Sequence, residues 1–224
     1  MQGMGRHEHK LVINNLDYQE LSARLRQVTR LDQHSTQAGG YKIRSLYFDN
    51  YADKAVTEKL SGQSQREKFR IRYYKDDPSL IRLEKKAKCN RLCYKTQEVI
   101  SQEECQALLD GDYFFLNDAS RPLFMEVYLK MKEQNLRPRV IVDYFREAYT
   151  FPAGNVRITF DRDVRASQQV QGLFDPKLVT IPAARATILE IKYDGFLPEF
   201  IRQALQIGRR HESEFSKYLV SRLV

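Results

Sequence analysis

Six stretches of this chain place charge on every second residue and apolar side chains between. In "REKFRIRYY", residues 66–74, a strand puts Phe69, Ile71 and Tyr73 on one face and Arg66, Lys68, Arg70 and Arg72 on the other. Arg6, Glu8 and Lys10 share a face in 6–13, and Arg82, Glu84 and Lys86 share one in 80–88, opposite Ile81 and Leu83. Arg146 joins Tyr144 in 139–151. Arg157, Thr159 and Asp161 oppose Val156, Ile158 and Phe160 in 156–164. Glu190, Lys192 and Asp194 oppose Leu189, Ile191 and Tyr193 in 187–194. Like charges this close repel, so a row of them needs an explanation. An open sheet with helices on one face and water on the other would give the pattern. So would a barrel with a charged lumen and helices outside. The recurrence of Arg, mixed with Glu in fixed alternation, favours the barrel, because guanidinium suits bidentate phosphate contacts and carboxylates among cations suit a hard metal ion.

The rest of the chain reads as an α+β domain on a large antiparallel sheet. Helices are predicted at 17–29, where Leu21, Leu25 and Val28 recur, and in 50–60, 101–111, 122–135, 198–208 and 213–223. Ser101 and Glu104 spell a capping box, and Gly111 ends that helix. Further strands are predicted at 41–49 and 91–100, a turn at Asp76-Asp77-Pro78, another around Pro152 and Gly154, and a loop over 166–184. With no Gly/Ser run, Pro-rich stretch or internal repeat, residues 1–224 read as one domain.

Lys and Arg number 37 against 29 Asp and Glu, a net charge of +8, which favours polyanionic partners without choosing among them. No apolar run is long enough to span a membrane, and the N-terminus lacks an apolar signal region. Cys89, Cys93 and Cys105 have no zinc spacing and read as free thiols of a cytoplasmic protein. His7, His9, His34 and His211 have no metal spacing, and no Gly-rich phosphate loop is present.

"RHEHK", "SLYFDN", "FRIRYY", "RLEKK", "LRP" followed by "YFREAY", "VRITFD", "LEIK" and "FSKYL" occur in the order found in the VTC domain. The chain resembles this polyphosphate polymerase domain of the triphosphate tunnel metalloenzyme, or CYTH-like, superfamily from about residue 6 to 221. The resemblance implies an antiparallel β-barrel tunnel of about eight strands with helices packed outside. It implies transfer of the terminal phosphate of ATP onto polyphosphate, with Mn²⁺ or Mg²⁺ as cofactor. Arg70, Arg72, Lys86, Arg146 and Arg157 match the catalytic and substrate-binding cations. Lys10 and Lys217 match further substrate-binding lysines, and Glu190 matches the metal ligand. Where the family has a second lysine in the C-terminal helix this sequence has Glu214, which bears on how far the basic exit extends. The eukaryotic members carry phosphate-sensing and membrane domains, so a separate membrane partner fits the resemblance.

Phosphoryl transfer needs positioning and charge neutralisation more than covalent help. The cations named above would clamp phosphates, and Glu190 would hold the cation that bridges them. Counting Lys10, Arg70, Arg72, Lys86, Arg146 and Arg157 against Glu190 leaves a strongly cationic lumen. Glu8, Glu84 and Lys192 read as supporting charges. A metal-dependent tripolyphosphatase would use the same clamp with water as acceptor. A non-catalytic polyphosphate or RNA binder is the remaining reading. RNA is disfavoured because Tyr and Phe sit mostly on the apolar strand faces and offer no stacking platform.

Overall fold

The computed structural model describes residues 6–35, 39–90, 92–206 and 215–223. Along them run β1 (His7–Ile13), α1 (Asn15–Val28), β2 (Arg30–Leu31), β3 (Tyr41–Asp49), α2 (Lys54–Leu60) and β4 (Gln65–Tyr74). Then come β5 (Asp77–Cys89), β6 (Leu92–Ile100), α3 (Gln102–Leu109), α4 (Pro122–Gln134) and β7 (Arg137–Phe151). The chain closes with β8 (Val156–Ser167), β9 (Ile181–Ala184), β10 (Thr187–Tyr193), α5 (Glu199–Ala204) and α6 (Lys217–Ser221). Eight strands form one antiparallel path, β1-β10-β8-β7-β3-β4-β5-β6, with β2 added to β7 and β9 to β8. The two ends of the path meet at the bridge between Arg6 and Cys93. Beside it, Lys86 Nζ of β5 reaches both carboxylate oxygens of Glu8 on β1, at 2.8 and 2.7 Å. The sheet is thus curled into a tunnel, as the alternation predicts.

The apolar strand faces point outward and are covered. Phe69, Ile71, Tyr73 and Leu83 pack with Leu108 of α3 and Phe124 and Val127 of α4. Ile158, Phe160 and Leu189 pack with Leu21 and Leu25 of α1 and Ile201 of α5. A third cluster lies inside, where Val142, Val164, Ala166 and Ile188 meet Tyr218 of α6. That helix differs from the others: it enters the tunnel from one end.

Local chemistry sets the element boundaries. α1 starts at a capping box between Asn14 and Asp17 (2.8 and 3.2 Å), and α3 at the expected box between Ser101 and Glu104 (3.1 and 2.8 Å). The expected turn at Asp76-Asp77-Pro78 falls one residue earlier. Lys75 and Asp76 both take positive φ (60° and 55°), and Tyr74 pairs with Asp77 across the hairpin. Two left-handed central residues match the strand twist. Pro78 lies ahead of the part of β5 that pairs with β6, where no ladder donor is missed. The predicted loop over 166–184 is more ordered than expected: β8 runs to Ser167 and β9 pairs back onto it. No helix of the described residues is long and apolar enough to cross a membrane.

Candidate functional site

Strand pairing brings the charged faces together. Lys10 of β1 lies opposite Glu190 of β10, and Glu190 opposite Thr159 of β8. Asp161 of β8 lies opposite Arg146 of β7. On the other wall, Arg70 of β4 lies opposite Glu84 of β5. The lumen therefore holds Lys10, Arg70, Arg72, Lys86, Arg146, Arg157 and Glu190, and α6 delivers Lys217 to the same space.

Each predicted cation except Arg72 makes a close contact with a carboxylate. Glu84 accepts from Arg70 Nε at 2.7 Å, lies 2.6 Å from Lys95 Nζ and 3.7 Å from Arg72 Nη1. Arg72 instead donates to Ser45 Oγ (3.1 Å) and to the Tyr144 hydroxyl (2.9 Å). Asp161 accepts side-on from Arg146 Nε and Nη2 (2.6 and 2.7 Å) and sits 2.5 Å from Lys217 Nζ. Arg157 binds Asp32 and donates to the Tyr41 hydroxyl at 3.0 Å. Lys10 lies 2.8 Å from Glu8 and 3.4 Å from Glu190, and Lys192 lies 3.3 Å from Glu190. With Lys68 and Lys95 counted, ten cations face Glu8, Asp32, Glu84, Asp161 and Glu190. Ten less five leaves five positive charges in excess.

This changes the sequence reading in one respect. Glu8 and Glu84 are not peripheral: Glu8 bridges Lys10, Lys86 and Lys192, and Glu84 bridges Arg70, Arg72 and Lys95. Burial would raise Glu84, but Arg70, Arg72 and Lys95 hold it well below the usual carboxylate range. Burial would raise Glu190 too, but Lys192, Lys10, Lys86 and Arg146 together hold it well below its ordinary value. Lys86 is pushed down to about 8 by burial and by Lys10. Burial would raise the Tyr47 phenol, yet Arg70, Arg72 and Lys217 carry it down to about 8.

Sequence reasoning missed two lumen tyrosines, Tyr41 and Tyr47, and placed the third, Tyr144, on the face of Arg146, where it lies. Tyr41, Tyr47 and Tyr144 point inward, not onto the outer apolar face, and all three are buried among cations. Buried rings offer no open stacking platform. Lys95 and Asp161 carried an available signal, since Asp161 continues the charged face of Arg157. Glu214 and His211 lie outside the described residues.

The donor set fits a small hard cation. Glu190 is 5% exposed, and Glu8 approaches it through their shared partners Lys10 and Lys192. Directly across the register from Glu190, the Thr159 hydroxyl is buried and makes no hydrogen bond among the described residues. Among the described residues no three His, Cys, Asp or Glu side chains form a metal-binding group. A divalent ion here would take one or two carboxylates and complete its shell with phosphate oxygens and water, as Mg²⁺ and Mn²⁺ commonly do.

The VTC domain family model matches residues 5–224. The chain belongs to the VTC domain family. Its fold is that of the triphosphate tunnel metalloenzymes. Among solved structures, a candidate adenylyl cyclase from Hippeastrum, described as having a dominant triphosphatase activity, superposes with a TM-score of 0.56 at 16% identity, covering 98% of this chain and 96% of its own. A candidate adenylate cyclase from Bacillus halodurans superposes with a TM-score of 0.52 at 15% identity, covering 90% and 87%. No curated protein matches the sequence of this VTC domain.

Proposed function

We propose that this VTC domain transfers the terminal phosphoryl group of ATP onto a polyphosphate chain, with Mn²⁺ or Mg²⁺ held at Glu190. The observation that carries this reading is the convergence of Arg70, Arg72, Arg146 and Arg157 from three strands on one buried space, each already oriented by a carboxylate or hydroxyl. Asp161 grips Arg146 along the Nε–Nη2 edge, and Nη1 makes no hydrogen bond among the described residues. That leaves donors aimed at a ligand without any reorganisation when charge shifts.

The residues divide the work. Arg70 and Arg72 hold one end of a triphosphate, and Arg146 and Arg157 the other. Lys10, Lys86 and Lys217 add point charges that neutralise bridging and terminal oxygens. Glu84 and Asp161 keep the guanidinium planes from rotating, which preserves an in-line approach of acceptor and leaving oxygens. Glu190, with Glu8 beside it, would hold a divalent ion, which would supply Lewis-acid withdrawal of charge from the phosphates. The acceptor is a phosphate oxygen already ionised at neutral pH, so the site needs no strong base.

A metal-dependent triphosphatase uses the same clamp with water as acceptor. The triphosphatase activity described for the Hippeastrum protein of like fold supports this second reading. Incubation of the purified protein with ATP and Mn²⁺ or Mg²⁺, followed by gel separation of products, decides. Long phosphate chains are expected. Orthophosphate alone would assign the triphosphatase. Absence of turnover with retained tripolyphosphate binding would leave a binding module and overturn both enzyme readings.

A further inference from the structure

The cationic face of β4 continues one step past Arg70 to Lys68, which the clamp does not use. Lys68 Nζ donates to Ser216 Oγ at 3.0 Å and lies 5.3 Å from the centre of the Tyr218 ring, so it faces the segment that leads into α6. Its electrostatic setting differs from that of the clamp. Arg70, Arg146, Arg157, Lys10, Lys86 and Lys217 each have a carboxylate at close range. Lys68 has none among the described residues. Its charged neighbours are Lys10, Lys59 and Arg66, with the Tyr47 phenol between. Burial, reinforced by those like charges, brings its ammonium down to about 8. Tyr47 is the common centre: its oxygen accepts from Arg70 Nη1 at 3.2 Å, its ring lies 5.4 Å from that of Tyr218, and Lys217 is near enough for its charge to act on the phenol. The Tyr47 hydroxyl proton has no acceptor among the described residues.

A half-buried ammonium among cations is costly until an anion joins it. The anion must be compact, offer several oxygens and accept from an ammonium and a phenol at once. A phosphate unit meets all three conditions. We propose that Lys68, with the Tyr47 hydroxyl and with Lys217 at its border, forms a further phosphate subsite on the α6 side of the clamp, which takes the next unit of a linear polyphosphate beyond the three that the clamp holds. This rests on the tunnel binding phosphate chains as proposed above, and it adds a chain-length preference that the clamp alone does not have.

The test is calorimetric titration of wild type, Lys68→Met and Lys68→Arg with tripolyphosphate, long-chain polyphosphate and orthophosphate at matched ionic strength. Loss of one charge-assisted contact is expected to weaken long-chain binding by about tenfold in Lys68→Met and tripolyphosphate binding by about twofold or less, with most of the loss recovered in Lys68→Arg. Tyr47→Phe keeps the ring against Tyr218 and is expected to show the same selectivity at smaller size, which preserves the test should Lys68→Met fail to fold. Equal losses for both chain lengths would place Lys68 in the clamp and overturn the subsite. Unchanged long-chain affinity would overturn it as well. Orthophosphate binding that is as tight as long-chain binding, and equally sensitive to Lys68→Met, would make the site an isolated phosphate site and not a chain subsite. A wild-type protein that binds neither chain would sink the tunnel reading itself, an outcome distinct from these.

Discussion

β7 carries two buried arginine–aspartate pairs, one on each face. On the outer face Arg44 of β3 grips Asp143 through Nε and Nη2, both at 2.8 Å, and spends Nη1 on the carbonyls of Leu173 (3.2 Å) and Asp175 (2.7 Å). On the inner face Arg146 grips Asp161 with the same edge, and among the described residues its Nη1 is left over. The outer guanidinium is closed off by backbone and ties the segment after β8 onto the sheet. The inner one is held still and left partly unspent. Burial and ion pairing are alike in the two pairs. Under the proposed function, what separates the architectural arginine from the ligand-binding one is whether its donors have all been used.

The sharpest way to break this comparison is to truncate both. Arg146→Ala is expected to lower turnover by about a hundredfold or more, the scale of losing one preorganised charge stabiliser. Arg44→Ala is expected to lose about 3 kcal/mol of stability by breaking the buried pair with Asp143, which keeps only the half-exposed Lys42 at 3.4 Å, while the folded fraction binds tripolyphosphate as wild type does. Denaturant melts and kinetics on both variants check this. Equal kinetic losses would erase the distinction between the faces.

Glu190→Gln comes next. It removes the negative charge from Lys10, Lys192 and Arg146 at once, so both turnover and melting temperature are expected to fall, because the lumen becomes more self-repulsive. Polyanion binding is expected to persist, and added Mn²⁺ to restore part of the turnover. Activity with unchanged metal dependence would remove Glu190 from the metal site.

A smaller effect follows from pH. Lys86 is charged below about 8 and neutral above, whereas in the unfolded chain it holds its proton to about 10.5. Tripolyphosphate affinity is therefore expected to fall, by about tenfold or less for one cation, as pH rises through 8. Stability of the free protein runs the other way. Between 8 and 10.5 the unfolded chain binds the proton that the fold has released, so this group adds stability as pH rises. Affinity and stability that moved together across this window would contradict the placement of Lys86 in the lumen. The smallest change is expected at Arg66, which is half-buried and donates to the Gln63 carbonyl: Arg66→Ala should leave turnover within about twofold, as near-surface substitutions do.

The sheet was legible because a strand with one charged and one apolar face writes its period plainly, as in 66–74 and 187–194. Where both faces are buried the contrast vanishes. Every residue of β3 except Lys42 is buried, so nothing in "YKIRSLYFD" separates inward Tyr41, Ser45 and Tyr47 from outward Arg44, Leu46 and Phe48. Only pairing with β4 and β7 does so. β2 is two exposed residues and β9 is four, too short to show a period. The cations of the lumen were legible one by one. Their carboxylate partners were not, because which acid meets which base is set by strand register and not by spacing along the chain.

The seam between β1 and β6 has a consequence for how the domain fluctuates. Most neighbouring strands share a full ladder of amide bonds, but here, among the described residues, one bridge at Arg6 and Cys93 joins the edges, helped by the side-chain pair of Lys86 and Glu8. Opening at this line breaks few bonds, so backbone amides of 92–95 should exchange with solvent deuterium sooner than those of β7 or β8 at the centre of the sheet. A phosphate chain that engages Lys86 and Lys10 would draw the two edges toward the same anion. The wall of the tunnel would then be completed by its cargo, and slowed amide exchange along the seam would report occupancy without any measurement of turnover.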